Sequence, residues 1–194
     1  MRFSTIINIM SLTAKQKQWI EHLSNESKIT IVPFDTNAEK IFQSVKKIIQ
    51  KNTDIQEVAH GGATALKISG QDEIDIFVPI LNNQFKQYTK ELSKLFGNPK
   101  SIYKEERVRF TFKKQNKRID VFLVNKRKSN WKNHIIFETY LKTHPKELLR
   151  YKRLKEQGSG LSTREYYREK IEYINAILKK GEKENRDHID FTLI

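Results

Sequence analysis

The sequence predicts an α+β protein, a mixed β-sheet with flanking helices followed by a C-terminal helical segment, on three observations. Short alternating runs, separated by amphipathic stretches with a period near 3.6, fill residues 28–125. Two of those runs, residues 107–112 and 118–124, are joined by five polar residues and read as a hairpin. Beyond Asn125 the alternation stops and helical spacing continues to about Lys180.

Taken in order, residues 13–23 place Trp19, Ile20 and Leu23 on one face of a short helix suited to a lid or brace. Residues 28–32 alternate as a strand would and stop at Pro33. Asp35 or Thr36 can then cap a helix with Ile41, Phe42, Val45, Ile48 and Ile49 on one side, ending near Asn52. Residues 56–60 read as a short strand entering Gly61-Gly62, and residues 73–80 as a second strand bounded by Pro79, with a turn and one helical turn between them. Residues 83–96 are amphipathic again, with Phe85, Tyr88, Leu92, Leu95 and Phe96 inward and Gly97-Asn98-Pro99 as the stop.

The hairpin turn centres on Gln115-Asn116, a weaker turn pair than Asn-Gly. The following helical stretch breaks at His144-Pro145 and at Gly158-Ser159-Gly160. From Gly181 the chain is polar until residues 189–194, which suit either a returning strand or a loose end. The expected organisation is an N-terminal helical extension (1–27), a core (28–125), a C-terminal helical region (126–180) and a tail (181–194).

Composition bounds what such a fold can do. A chain of 194 residues fits one large domain or a domain with a helical appendage. With 37% hydrophobic and 31% charged residues it can build a core, and it has no run near the ~20 apolar residues of a spanning helix, so no membrane is expected. Residues 1–10 hold one positive charge and a brief apolar run with no small-residue cleavage site after it, so no signal peptide is read. Cysteine is absent, which excludes disulfides, thiolate metal sites and cysteine nucleophiles and makes a cytoplasmic location the expectation. The net charge of +14 implies an anionic partner. It is local: residues 100–155 hold 18 Lys or Arg against 5 Asp or Glu, so 13 of the 14 excess charges lie in 56 residues. A solvated basic face is the plain account of any one of these lysines, and the clustering argues for a ligand.

The stretch with the most chemistry runs from His60 to Val78. A double glycine after a strand lets backbone N–H groups converge on a phosphate, because no Cβ obstructs the approach. Glu73 and Asp75 are two apart on a strand, so both carboxylates leave one face while Ile74 and Ile76 enter the core on the other. Their repulsion is relieved by a metal ion, and Mg²⁺ (or Mn²⁺) held by carboxylates and substrate phosphates is the usual solution. Asp120, between Ile119 and Val121, lies on the polar face of its strand with Arg118 and reaches the same site if the strands are neighbours. Taken separately, these features also describe an exposed strand face and a plain turn. The five histidines have no helical i, i+4 partner among themselves, so no zinc site is expected. Tyr151, Tyr166, Tyr167 and Tyr173 recur at helical spacing and read as helix contacts.

Gly61-Gly62 followed by Glu73-Ile74-Asp75 and a later strand acid resembles the nucleotidyltransferase superfamily signature, with Glu73 where Asp is commoner. A second resemblance spans residues 28–180. It rests on Ile31-Val32-Pro33-Phe34-Asp35, the stretch from Gly61 to Asp75, Phe137-Glu138-Thr139-Tyr140-Leu141-Lys142-Thr143-His144-Pro145, Tyr151-Lys152-Arg153-Leu154-Lys155 and Tyr166-Tyr167-Arg168-Glu169-Lys170-Ile171-Glu172-Tyr173-Ile174. In this order they resemble the GrpB family, whose members are similar to nucleotidyltransferases in fold and largely lack assigned reactions. This chain departs from the family at Ala63, where serine is usual, and at Glu73, where an apolar residue is usual. It also lacks the histidines that the family places near Arg118 and Asp120.

The resemblance implies a nucleotidyltransferase-like sheet and a Mg²⁺-dependent transfer of a nucleoside monophosphate from a nucleoside triphosphate to an acceptor hydroxyl. In that reading Glu73, Asp75 and Asp120 are the catalytic and metal-binding residues. Gly61 and Gly62 cradle phosphates, and Lys155 and Lys170 reach the triphosphate as point charges; the acceptor is left unidentified, with RNA or another anionic molecule suggested by the basic segment around the hairpin. The alternative is a non-catalytic nucleotide- or RNA-binding module with a basic docking surface.

Overall fold

In the computed structural model, which describes residues 12–191 with side chains to Asn185, the elements follow one another as α1 (Ala14–Glu21), α2 (Ala38–Asn52), β1 (Ala59–Gly61), α3 (Gly62–Ala65), β2 (Glu73–Ile80), α4 (Phe85–Phe96), β3 (Ser101–Tyr103), β4 (Arg107–Lys114), β5 (Lys117–Asn125), α5 (Ser129–Thr143), α6 (Pro145–Gln157) and α7 (Thr163–Phe191). The signal-peptide reading of residues 1–10 and the end of the tail lie outside the described residues. The chain divides into two compact units, one of Val32–Glu138 and one of the described residues before Val32 together with those from Thr139 onward.

The first unit is built on a five-stranded sheet of order β1-β2-β5-β4-β3. β2 and β5 run parallel at its centre and the remaining pairs are antiparallel, so the sheet is mixed, as the sequence predicts. One face is apolar by strict alternation: Ile74, Ile76 and Val78 of β2, Ile119, Val121 and Leu123 of β5, and Val108 and Phe110 of β4 are all buried. Helices α2 and α4 cover it with Ile41, Phe42, Val45 and Ile49, and with Phe85, Tyr88 and Leu92. The three- and four-residue spacing of these side chains is what makes each helix amphipathic enough to sit there. Asp35 helps start α2, since its carboxylate accepts from the Asn37 N–H at 2.8 Å. The β4–β5 turn is a two-residue turn with Gln115 and Asn116 both left-handed (φ 50° and 62°), the geometry that matches the twist of the strands.

Three details differ from the sequence reading. Residues 28–32 form no strand: Val32 makes a single bridge to Gly70, and Lys28 makes one to Ser162 in the other unit's own residues. Strand β3 is an addition, three residues at the sheet edge with Ile102 and Tyr103 exposed. The helix expected to end near Lys180 continues through Gly181 to Phe191, so residues 189–191 are helical rather than a strand or loose end, and 192–194 lie outside the described residues.

In the second unit Thr13 caps α1 and Gln16 closes the capping box by bonding the Thr13 N–H. Ile20 is fully buried, while Trp19 meets Tyr167 of α7 edge-on at 5.5 Å between centroids. Pro145 opens α6 at the expected break, and Ser162 and Glu165 exchange bonds at the start of α7. Tyr151, Tyr166 and Tyr173 are buried, as their spacing implies. Among the described residues no helix is long and apolar enough to cross a membrane.

Candidate functional site

The sheet face opposite the core holds the predicted acids. Residues of alternate parity on β2, β5 and β4 point to it, and the register aligns Gly61, Asp75, Asp120 and Thr111 in one row across four strands. The next row aligns Glu73, Arg118 and Lys113. The sequence reading that Asp75 and Asp120 meet on neighbouring strands is therefore realised at the level of the fold.

The environment of Asp120 is the feature the sequence reading did not contain. Its carboxylate is buried, 1% exposed. Arg109 donates to it in bidentate fashion, from Nε to Oδ1 at 3.0 Å and from Nη2 to Oδ2 at 2.7 Å. Thr111 Oγ1 donates to Oδ1 at 2.6 Å, and Arg118 donates to Oδ2 from Nε at 3.1 Å and Nη2 at 3.0 Å. Burial pushes the Asp120 carboxyl up, but the bonds from Arg109 and Thr111 and the charges of both guanidiniums outweigh it and hold the group below the usual carboxylate value. Arg118 Nη2 also pairs with Glu73, so one guanidinium bridges two of the three acids.

A divalent ion makes specific demands on such a row of acids. A hard cation takes oxygen lone pairs directly. Both oxygens of Asp120 already accept two or more donors, and Glu73 is turned to Arg118. Among the described residues no group of three or more His, Asp or Glu is set to hold a metal. As arranged, Glu73, Asp75 and Asp120 do not fit a divalent ion, and two guanidiniums supply the positive charge in its place.

The glycine turn has its own internal anion. Gly62 is left-handed (φ 71°), and a Cβ there would run into the Asp75 carboxylate, so glycine is required twice over. At Gly61 a Cβ would strike the Phe77 ring. The Gly62 N–H, which the sequence reading offers to a phosphate, donates to Glu138 Oε1 at 2.8 Å. Glu138 is buried, on the part of α5 that lies over this face, and His134 one turn earlier stands 3.6 Å from the same oxygen. His134 stacks on Phe77 at 4.0 Å, and Phe77 stacks on Phe122 at 5.1 Å, which closes the apolar half of the face.

Lys155 and Lys170 belong to the second unit. Lys155 is buried there with its ammonium 5.5 Å from the Tyr151 ring, and Lys170 lies 5.7 and 5.0 Å from the rings of Tyr166 and Tyr167. Sequence reasoning missed Arg109, Thr111 and Glu138. The signal for the first two was available, since alternation through Arg107-Val108-Arg109-Phe110-Thr111 puts Arg109 and Thr111 on the polar face that Asp120 shares. Glu138 stood in the family-like segment from Phe137 to Pro145, but nothing local marked its role, because only the tertiary fold brings α5 to the glycine turn.

Toward the free edge of the sheet the charge changes character. Lys100, Lys104, Lys113 and Lys114 on β4 and beside β3, and Arg127 and Lys128 just after the central strand β5, have no acid partner among the described residues. The Arg107 guanidinium lies over the Tyr103 ring at 4.8 Å and near Phe122 at 5.7 Å, and Tyr103 is 47% exposed.

Comparison with known proteins agrees with the sheet just described. No curated protein matches the chain. Among solved structures, the crystal structure of conserved protein GrpB from Enterococcus faecalis is similar with a TM-score of 0.62 at 17% identity, over 80% of this chain and 98% of that one. The GrpB protein family matches residues 28–180, and the chain belongs to that family.

Proposed function

We propose that the chain is a docking module for single-stranded RNA, with the β3–β4–β5 edge of the sheet as its binding surface. The observation that carries this reading is the set of exposed and half-buried Lys and Arg residues without acid partners along that part of the sheet, with Lys104 next to the exposed Tyr103 ring backed by Arg107 and Lys113 and Lys114 at the other end of β4. Unpaired cations attract a phosphate backbone, and an aromatic ring beside them gives an unstacked base a surface to lie on. Of the acids on the neighbouring rows, Asp120 and Glu73 are already paired with Arg109 and Arg118, so they repel the polyanion less than open carboxylates would.

The test is RNA affinity at several salt concentrations for the wild type and for a Lys104→Ala/Lys113→Ala/Lys114→Ala variant. Each lost single-strand phosphate contact lowers the salt slope by about 0.7, so the triple variant is expected to lose about 2. Tyr103→Ala should weaken binding without changing the slope, at a cost of about 1–3 kcal/mol. Identical slopes in wild type and triple variant would sink the assignment.

The row Gly61, Asp75, Asp120 favours a second reading, nucleotidyl transfer from a nucleoside triphosphate with Mg²⁺ or Mn²⁺. It requires Asp120 and Glu73 to be released from their guanidiniums. Its mark is triphosphate binding that depends on the metal and is lost in Asp75→Ala, whereas docking of RNA by the basic edge is independent of metal.

A further inference from the structure

On the core side of β1, away from the acid row, three side chains form a hydrogen-bonded chain that neither reading of the sheet uses. His60 Nε2 lies 2.9 Å from Thr64 Oγ1, and His60 Nδ1 lies 3.0 Å from Glu39 Oε2. The residues come from three elements, Glu39 from α2, His60 from β1 and Thr64 from α3. The imidazole is held flat against the Phe42 ring at 4.6 Å between centroids, 14° from parallel, so its orientation is fixed by packing as well as by bonding. Its side chain is only 10% exposed.

The order of donors follows from chemistry. A carboxylate only accepts, so in the neutral ring Nδ1–H donates to Glu39 and Nε2 is left to accept the Thr64 hydroxyl proton. This is the arrangement of a nucleophile, a base and an orienting acid, recognisable by geometry whatever its position in the sequence. The bond from Gln43 first, and that from His60 after it, hold the Glu39 carboxyl below its usual value despite partial burial, so Glu39 is ionised at neutral pH.

Thr64 opens onto space. It lines a shallow recess of about 20 Å³, shared with Phe34, Ile68 and Ile74 and with Asp35, Asp72 and Glu73, of which Asp35 and Asp72 share Lys117. A recess this small receives only the end of a short acyl group, with the rest of the molecule in solvent, and a lining of three carboxylates to one ammonium favours an uncharged or cationic molecule over an anionic one.

We propose that Thr64 is an activated nucleophile that accepts the acyl group of a small uncharged or cationic ester, with His60 as its general base and Glu39 as the residue that positions the ring. In the acyl step the Oγ–C bond forms as the C–O bond to the leaving alcohol breaks. The hydroxyl proton passes to His60 Nε2 and from there to the departing alkoxide, so an ester and a threonine hydroxyl give an acyl-threonine and an alcohol.

The test uses the full chain and an uncharged alkyl fluorophosphonate as probe. Here the Oγ–P bond forms, the P–F bond breaks with fluoride taking the electron pair, and the proton goes through His60 to solvent. Peptide mass mapping is expected to find the adduct on Thr64. Thr64→Val should abolish it and Thr64→Ser should keep it. His60→Gln should slow labelling about 100-fold, the usual loss on removing a general base, with an unchanged circular dichroism spectrum. Glu39→Gln should slow it less, with Glu39→Asp recovering part of the rate. No adduct at residue 64 in the wild type, or undiminished labelling in folded His60→Gln protein, would overturn the proposal.

Discussion

At the scale of single residues, Asp120 is the most consequential side chain in the sheet. A lone buried carboxylate would be neutralised by taking up a proton, but five donor contacts from Arg109, Thr111 and Arg118 keep it charged. Its folded pKa lies below the ordinary value near 3.8. A depressed carboxyl contributes stability that is complete above the unfolded pKa and is lost as pH falls through the lower, folded one. Asp120→Asn leaves two guanidiniums facing a neutral group and is expected to cost about 3 kcal/mol at pH 7. The gap between wild type and variant should stay constant from pH 7 to about 5 and shrink below about pH 4. Urea unfolding of both proteins at pH 7 and pH 3 measures it, and an equal gap at the two values would show that the carboxylate's charge is not what the arginines recognise.

At the scale of elements, the β4–β5 hairpin shows where backbone preference and fold disagree. Its turn needs two consecutive left-handed residues, which Asn116 accepts readily and Gln115 does not. Gln115→Asn is expected to stabilise the protein by about 0.5 kcal/mol, seen as a higher urea midpoint with an unchanged slope. The same contrast explains what the sequence revealed. Helices α2 and α4 and strands β2, β4 and β5 were legible because each has a long enough apolar period to bury one face. Strand β3 was not, since three residues with Ile102 64% exposed leave no alternation to read. The 28–32 run misled for the opposite reason, having the alternation of a strand but only single bridges to pair with. Gly181 was read as a stop, yet one glycine costs a helix only about 1 kcal/mol and α7 is 29 residues long. Glu73 and Asp75 were legible from their spacing on β2, and Asp120 with Arg118 from the alternation of β5; Arg109, on β4, had to be inferred from register.

At the scale of the molecule, a net charge of +14 on 194 residues works against compactness, because like charges approach one another on folding. The sheet offsets part of this internally, tying Arg109, Lys117, Arg118 and Lys126 to acids, and leaves the cations of its β3–β4 edge unopposed. A polyanion that binds this edge in the folded state alone must therefore raise stability by mass action. At a hundred times its Kd the gain is about 2.7 kcal/mol, which for a chain of this size shifts the melting temperature by roughly 5–10 °C. Single-stranded RNA added at low salt should produce that shift. About 0.5 M NaCl should remove it, since screening shortens the reach of exposed charges to a few ångströms. The Lys104→Ala/Lys113→Ala/Lys114→Ala variant gives the decisive comparison: with three of the unopposed cations gone it should melt higher than wild type without RNA and gain less when RNA is added. An equal gain in both proteins would place the polyanion on another surface, and the basic edge would then be a solvated face of the sheet.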